Sequence, residues 1–433
     1  MTPYSHSIVC SFLIHINLLL TLFTEQFVLK HARNTLVRVL FFPLMYAGIW
    51  QLIYRFGGLG DFPSWTTHVV IWADFAQIAS WGGRSLIDFV VALFGACLLE
   101  LLPSKKTIRE EVDEFAGEEE ELPERVLHPW KAFLIHPMTL FCVLLAILLS
   151  YGGARVNIHA KSFYQVGYPD YIPQKQPVGC VIGSEELELQ LQHDIWFNMT
   201  ESLIESGAKL VLWSELTAAV KNEKEEDALI ERARKVARER QVYLGITYAL
   251  GDPTTANKLV FITKTGDIGI NYNKAHPVPS VEPQSAGPEE LQYVDTEDFG
   301  RVGGAICFDF SFPHFIQQAS KQKVDLVLQP RPFGTYHENG NVLRTVENGF
   351  TRLRCSSQSI SGVTEPTLNS VFTQRVASLN REKYIFYLPL QKHVKTLYRY
   401  IGDAFGYICL IISVSTVAMT FRKIQRERQV SLD

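Results

Sequence analysis

The stretch Gly303-Gly-Ala-Ile-Cys-Phe-Asp-Phe-Ser-Phe-Pro313 sets one cysteine after a small, apolar run, with an acid two residues later and then a proline. RVGGAICFDF reads as a buried strand and SFPHFIQQASKQ as the helix after it. A thiol at such a place is either a small core hydrophobe or a nucleophile. The surrounding chain has to decide.

Outward from Cys307, residues 155–395 alternate between two periodicities. Val178–Ile182 reads as a strand, Glu185–Ser206 as a helix with an apolar stripe, and Leu210–Glu215 (LVLWSE) as a short strand ending on a carboxylate. Lys224–Arg240 is charged and helical. VYLGITYAL and NKLVFITKTGDIGINYNK give a strand and a hairpin turned at Thr265-Gly266-Asp267. VDLVLQP is a further strand, and RTVENGFTRLRC a helix running into a strand. Such alternation predicts an α/β domain with mostly buried strands.

Three of these strands end on reactive groups: Glu215, Lys274 and Cys307. A thiol needs a base, and a carboxylate serves when desolvation raises its pKa. The oxyanion formed on attack needs a cation or an N–H donor, which a lysine in a dry site supplies. Separately, Glu215 reads as a helix cap, Lys274 as a surface charge and Cys307 as core filler. Their shared position at strand ends points to one site.

Composition narrows the class. The 433 residues carry a net charge of −4, which argues against a nucleic-acid binder. Of seven cysteines, Cys10, Cys97, Cys142 and Cys409 lie in apolar runs, and only Cys180, Cys307 and Cys355 belong to the middle domain. Their spacing gives no disulfide framework and no CxxC metal site; a Cys180–Cys355 bridge is possible but not indicated. No metal and no cofactor is expected.

Four apolar runs precede the α/β region, at about Ile8–Thr24, Leu36–Tyr54, Leu86–Leu102 and Phe133–Tyr151, and a fifth, Tyr400–Phe421, follows it. Crossing ~30 Å of hydrocarbon takes about 17–25 helical residues, so each predicts a membrane span. Basic residues set the orientation. Lys30, Arg33 and Arg38, then Lys105, Lys106, Arg109, Arg125 and Lys131, then Arg422, Lys423, Arg426 and Arg428 fall on one side of a five-span chain. The expected domains are therefore 1–102, membrane helices with an interfacial segment at 55–85 bearing Trp65, Trp72 and Trp81; 103–131, an acidic cytoplasmic loop; 132–151, a membrane helix; 152–399, a domain on the extracytoplasmic or lumenal face; 400–421, a membrane helix; and 422–433, a basic cytoplasmic tail. Asn198-Met-Thr200 is an N-glycosylation acceptor, usable only in a eukaryotic secretory pathway.

Trp213-Ser-Glu215, Tyr272-Asn-Lys274 and Ile306-Cys307-Phe308 resemble, in order and spacing, the Glu-Lys-Cys signatures of the nitrilase (carbon–nitrogen hydrolase) superfamily. The spans resemble its apolipoprotein N-acyltransferase branch, as does Lys274-Ala-His276-Pro-Val278-Pro279-Ser-Val-Glu282. Cys307-Phe308-Asp309, Phe312-Pro313, Phe333-Gly334, Glu347-Asn-Gly-Phe350 with Arg354, and the GDFPSW segment at 60–65 are also similar to that branch. The resemblance covers roughly residues 39–421. It departs from the bacterial pattern in having fewer spans, in Val181-Ile-Gly-Ser184, in Gln329-Pro-Arg331-Pro332 replacing an Asn-Ile-Ser-Asn-Asp loop, and in Asp309 standing where glutamate is usual.

The resemblance implies a four-layer α-β-β-α sandwich attached to an α-helical membrane domain. It also implies ping-pong acyl transfer, with Cys307 as nucleophile, Glu215 as base, and Lys274 with the N–H after the cysteine holding the oxyanion. Glu282, Asp309 and Phe308 would support that site. The acyl donor would be a membrane phospholipid and the acceptor an amine, by resemblance a lipoprotein N-terminus. The membrane would be the plasma membrane, or the endoplasmic reticulum in a eukaryote. The competing reading is a membrane-tethered amidase that passes the acyl group to water.

Overall fold

The computed structural model describes residues 3–31, 34–102, 129–160, 174–251, 253–331, 338–367, 372–390 and 392–430. Most of the acidic loop (103–128) and the Phe333-Gly334 pair lie outside the described residues.

Two mixed sheets form the middle of the chain. The first holds β1 (Lys175–Val181), β2 (Leu210–Trp213), β3 (Ala218–Val220), β4 (Tyr243–Leu250), β5 (Ala256–Ile262) and β6 (Ile268–Asn273). The second holds β7 (Tyr293–Thr296), β8 (Gly300–Gly304), β9 (Leu326–Arg331), β10 (Thr351–Ser356), β11 (Ser359–Thr364) and β12 (Gln374–Ser378), and β13 (Lys383–Pro389) returns to the first. The orders are β13-β1-β2-β4-β5-β6, with β3 on β4, and β12-β11-β10-β9-β8-β7. β1, β2 and β4 run parallel, as do β8, β9 and β10.

Successive strand side chains point to opposite faces, and β2 shows what that does. Leu210 and Leu212 enter the core between the sheets, where Leu326, Leu328 and Leu353 meet them. Val211 and Trp213 point outward under Trp196, Leu229 and Ala233 of the helices His193–Glu205 and Glu223–Arg240. Phe315 and Ile316 of helix Pro313–Lys321 cover the second sheet. The layers run α-β-β-α, as the alternation and resemblance imply.

The helix expected at Glu185–Ser206 is broken. Leu187–Gln190 and His193–Glu205 are separate, with Gln192 between them outside helical geometry. RVGGAICFDF is also not one strand: β8 stops at Gly304, and Cys307–Ser311 is a 3₁₀ turn. Cys180 and Cys355 form a disulfide between β1 and β10, Cα to Cα 5.5 Å, and so staple sheet to sheet. The sequence leaves this pairing open because only sheet packing aims both residues at the same core. Closing a 175-residue separation removes on the order of 5 kcal/mol of chain entropy from the unfolded state in the simplest treatment.

Among the described residues, five helices are long and apolar enough to cross a membrane: Ile8–Leu29, Thr35–Phe56, Ala79–Leu99, Pro137–Val156 and Ala404–Val430. The third begins seven residues before the expected Leu86. Gly83 turns through φ 65° there, and an added Cβ would strike the Tyr398 ring at 2.3 Å. Between the second and third helices, the segment at 57–78 reaches the α/β domain. Gly60 lies so close to the Ser311 carbonyl that a Cβ would stand 2.0 Å from it, and the Asp61 N–H donates to that carbonyl at 2.7 Å. Asp61 also pairs with Arg344 of helix Glu338–Asn348 at 2.7 Å, both buried. Trp65 and Trp72 of this segment are half exposed, while Trp81 stacks near Tyr151.

Candidate active site

Cys307 follows β8 on a backbone twisted to φ 46°. A non-glycine residue in that left-handed region costs about 1–2 kcal/mol, and such strain persists only where surroundings enforce it. Here Asp309 enforces it: its Oδ2 accepts the Ile306 N–H at 2.8 Å and the Tyr272 hydroxyl at 2.7 Å. The turn lifts the thiol from the strand line into a cavity. Burial pushes the Cys307 thiol up to about 12, and the Glu215 charge adds to this while Lys274 and Arg331 oppose it. At neutral pH it is a thiol that needs a base.

Glu215 lies just past β2, where Leu216 also takes a positive φ of 53°. The Gly183 N–H on Ser214 Oγ, 2.9 Å, pins that turn. Glu215 Oε1 accepts Lys274 Nζ at 2.8 Å and Asn257 Nδ2 at 2.6 Å. Its other oxygen, Oε2, is buried with no hydrogen-bond partner among the described residues. One carboxylate oxygen is thus spoken for and one is open to accept a proton. Burial raises the Glu215 pKa, the Lys274 charge lowers it, and the Glu282 charge raises it again.

Lys274 follows β6 and is fully buried. It donates to both Glu282 oxygens, at 2.7 and 2.8 Å, as well as to Glu215. Burial works to lower its pKa, but Glu215, Cys307 and Glu282 outweigh burial and raise it, so Lys274 stays an ammonium. Glu282 is oriented by the Val278 N–H at 3.2 Å and Gln284 at 2.8 Å. Asp309 does not touch Lys274. Its Oδ1 takes the His276 N–H at 2.9 Å and His276 Nδ1 at 3.0 Å, tying the loop after Lys274 to the turn that bears Cys307. Phe308 packs edge-on against Phe62 at 5.7 Å and Phe312 at 5.4 Å.

The structure therefore lines one cavity of about 400 Å³ with Glu215, Glu282, Cys307 and Phe308. Lys274 is buried behind Glu215 and Glu282, bonded to both, and Asp309 stands behind the cysteine turn. Phe62, Leu216, Val278 and Val281 make much of the lining apolar. Phe62, of the GDFPSW segment, and Arg331 also line this cavity, and Asn257, which no local pattern marks, serves it by holding Glu215. Among the described residues, His276, Glu289 and His314 bring ligand atoms within 4.8 Å of one another, but Arg55 already stands 3.8 Å from Glu289. An activated thiol beside a carboxylate and an ammonium can attack a carbonyl, hold the acyl group and pass it on.

Residues 180–374 match the carbon-nitrogen hydrolase family model. No curated protein matches the sequence significantly. Similar solved structures include an amidase from Nesterenkonia sp., 20% identical, TM-score 0.42, covering 51% of this chain and 92% of that one. A mutant of the Nesterenkonia sp. AN1 amidase in complex with butyramide is 18% identical, with TM-score 0.45 and 54% and 95% covered. The C. elegans NitFhit protein is 20% identical, with TM-score 0.42 and 50% and 61% covered.

Proposed function

Through residues 180–374 the chain belongs to the carbon–nitrogen hydrolase (nitrilase) superfamily, and from that premise we propose that it is a membrane-bound N-acyltransferase. In this reading Glu215 Oε2 takes the thiol proton as Cys307 Sγ attacks the ester carbonyl of a phospholipid. The C–O bond breaks, the proton passes from Glu215 to the departing lysolipid oxygen, and the acyl group rests on Cys307 as a thioester. An amine then attacks, Glu215 accepts its proton, the C–S bond breaks, and the thiolate is reprotonated. Lys274 and the Phe308 N–H face the oxyanion. Because all three ammonium protons are engaged at rest, Lys274 exchanges one of its two Glu282 contacts to do so. Glu282 and Asp309 act as positioning residues.

One observation carries the choice of a lipid donor over a soluble amide. The wall of the Cys307 cavity includes Phe62, from the segment joining two long apolar helices. A thiol reached beside such helices suits a substrate presented by a bilayer. The exposed apolar side chains of Ile8, Phe12, Leu19 and Phe23 fit contact with hydrocarbon. The assay is full-length protein in micelles with labelled phospholipid, with and without a peptide amine. We expect an acyl-enzyme without the amine and an amide with it. Acyl loading from a primary amide, with none from phospholipid and release only to water, would establish the amidase instead.

In this reading the α/β domain lies on the extracytoplasmic or lumenal side, opposite the 103–131 loop, an orientation that the basic flanks support. The Cys180–Cys355 disulfide supports this placement, since such bonds persist in oxidising compartments. Protease added to sealed vesicles is expected to cut 103–131 and the α/β domain from opposite sides. Cleavage of both from one side would overturn the five-span arrangement.

A further inference from the structure

Three ligating side chains converge beside the cysteine turn without lining its cavity. His276 lies on the loop after Lys274, Glu289 stands ahead of β7, and His314 is the second residue of helix Pro313–Lys321. Their ligand atoms lie within 4.8 Å of one another. His276 Nδ1 meets Asp309 Oδ1 at 3.0 Å. An ionised carboxylate can only accept, so Nδ1 carries the proton and Nε2 of the neutral ring is a lone pair. That lone pair faces Glu289 Oε1 at 3.7 Å, and His314 Nε2 stands 2.5 Å from the same oxygen. Two acceptors turned on each other repel unless a positive charge sits between them. The arrangement is also braced. The Phe312 ring stacks on His276 at 3.8 Å, and Gln318 Nε2 donates to the Glu289 carbonyl at 3.2 Å. Ring and loop are thus both fixed to the start of one helix.

We propose that His276, Glu289 and His314 hold a divalent ion of the zinc class, with Asp309 as the outer carboxylate behind His276. Two imidazoles and one carboxylate suit zinc better than calcium or magnesium, which prefer all-oxygen sets. The Asp309–His276 pair is the arrangement that fixes the tautomer and aim of a ligating histidine. Bonds of about 2.0–2.1 Å around a tetrahedron set ligand atoms roughly 3.3 Å apart. Both the 3.7 Å and the 2.5 Å contacts reach that spacing by a small rotation of the Glu289 side chain, which is half exposed. Arg55 stands 3.8 Å from Glu289, beyond hydrogen-bond distance, and its side chain is 39% exposed, so it turns to water when an ion arrives. A fourth position is left for water. The ion would brace the His276 loop against the turn that carries Cys307, whichever acyl donor or acceptor that thiol serves. The expectation of no metal rested on cysteine spacing, and this site uses no cysteine.

The test is zinc binding to full-length protein in detergent micelles after chelator treatment, made in Cys307→Ala so that the active-site thiol takes no part. One equivalent is expected to bind and to raise the thermal unfolding temperature. Glu289→Gln and His314→Ala should each weaken binding about 100-fold or more, since losing a ligand costs more than the 10- to 100-fold typical of an outer partner. Arg55→Gln should tighten it, because a competing cation beside Glu289 is gone. A second measurement needs no ligand substitution: Co²⁺ in the same Cys307→Ala protein should show the visible bands of a four-coordinate nitrogen–oxygen site. A thiolate-to-cobalt charge-transfer band would overturn the proposal by placing the ion on another cysteine. Failure to bind one equivalent of zinc, or binding that survives both ligand substitutions, would also overturn it and leave His276 and Glu289 sharing a proton.

Discussion

Cys307→Ala is expected to fold like the wild type and to form no acyl adduct. The side chain is small and removing its sulfur costs packing of about 1–2 kcal/mol. Alanine bears the same strain at φ 46° as cysteine, so the backbone turn is not additionally penalised. Chemistry, by contrast, is lost altogether, because no other group in the cavity is a comparable nucleophile. Cys307→Ser should be at best barely active: a carboxylate deprotonates a serine hydroxyl far less readily than a thiol. Cys307→Gly supplies an internal control. It relieves the left-handed strain and should therefore unfold no more easily than the alanine variant, while being equally inactive. The measurement is a hydroxylamine-sensitive adduct located by mass spectrometry with phospholipid as sole donor. Cys180 and Cys355 are paired in a disulfide and cannot compete. An adduct on Cys10, Cys97, Cys142 or Cys409, or full activity in Cys307→Ala, would return Cys307 to the core.

The parts of this site that sequence could disclose are those fixed by short-range pattern. Apolar runs locate β2, β6 and β8 and so place Glu215, Lys274 and Cys307 at strand ends, which is the arrangement in the fold. The left-handed turns at Leu216 and Cys307 carry no glycine to announce them; Asp309, Tyr272 and the facing backbone impose the turn at Cys307 from elsewhere in the chain. RVGGAICFDF consequently looks like one strand although Ile306 is its last extended residue. Asn257 is equally silent, since its role arises only when β5 pairs with β6 and carries it to Glu215. The disulfide needs both sheets stacked before either cysteine has a partner. The break at Gln192 is hidden by an apolar stripe that continues across it.

Lys274→Met should lose about 10²–10³ in rate, the usual cost of removing one oxyanion donor. Lys274→Arg should not rescue it, because a planar guanidinium cannot replace a compact ammonium held by three carboxylate oxygens. Its pH profile separates this role from a structural one. Glu215 must be ionised to accept the thiol proton, and its pKa is raised chiefly by burial, so wild-type kcat/KM should fall on the acid side above the ordinary carboxylate range. Lys274 works against that rise and Glu282 works with it. Losing the Lys274 cation should therefore move the acid limb further toward alkaline pH, whereas Glu282→Gln, which removes a repelling anion, should move it toward acid. The two shifts have opposite signs, and a merely destabilised protein would produce neither. Stability is checked separately by thermal unfolding, since a buried carboxylate stripped of its partner can cost about 3–5 kcal/mol. Near-normal rates in Lys274→Met, or acid limbs that stay fixed in both variants, would remove Lys274 from the reaction and leave it as the ion pair that closes the cavity.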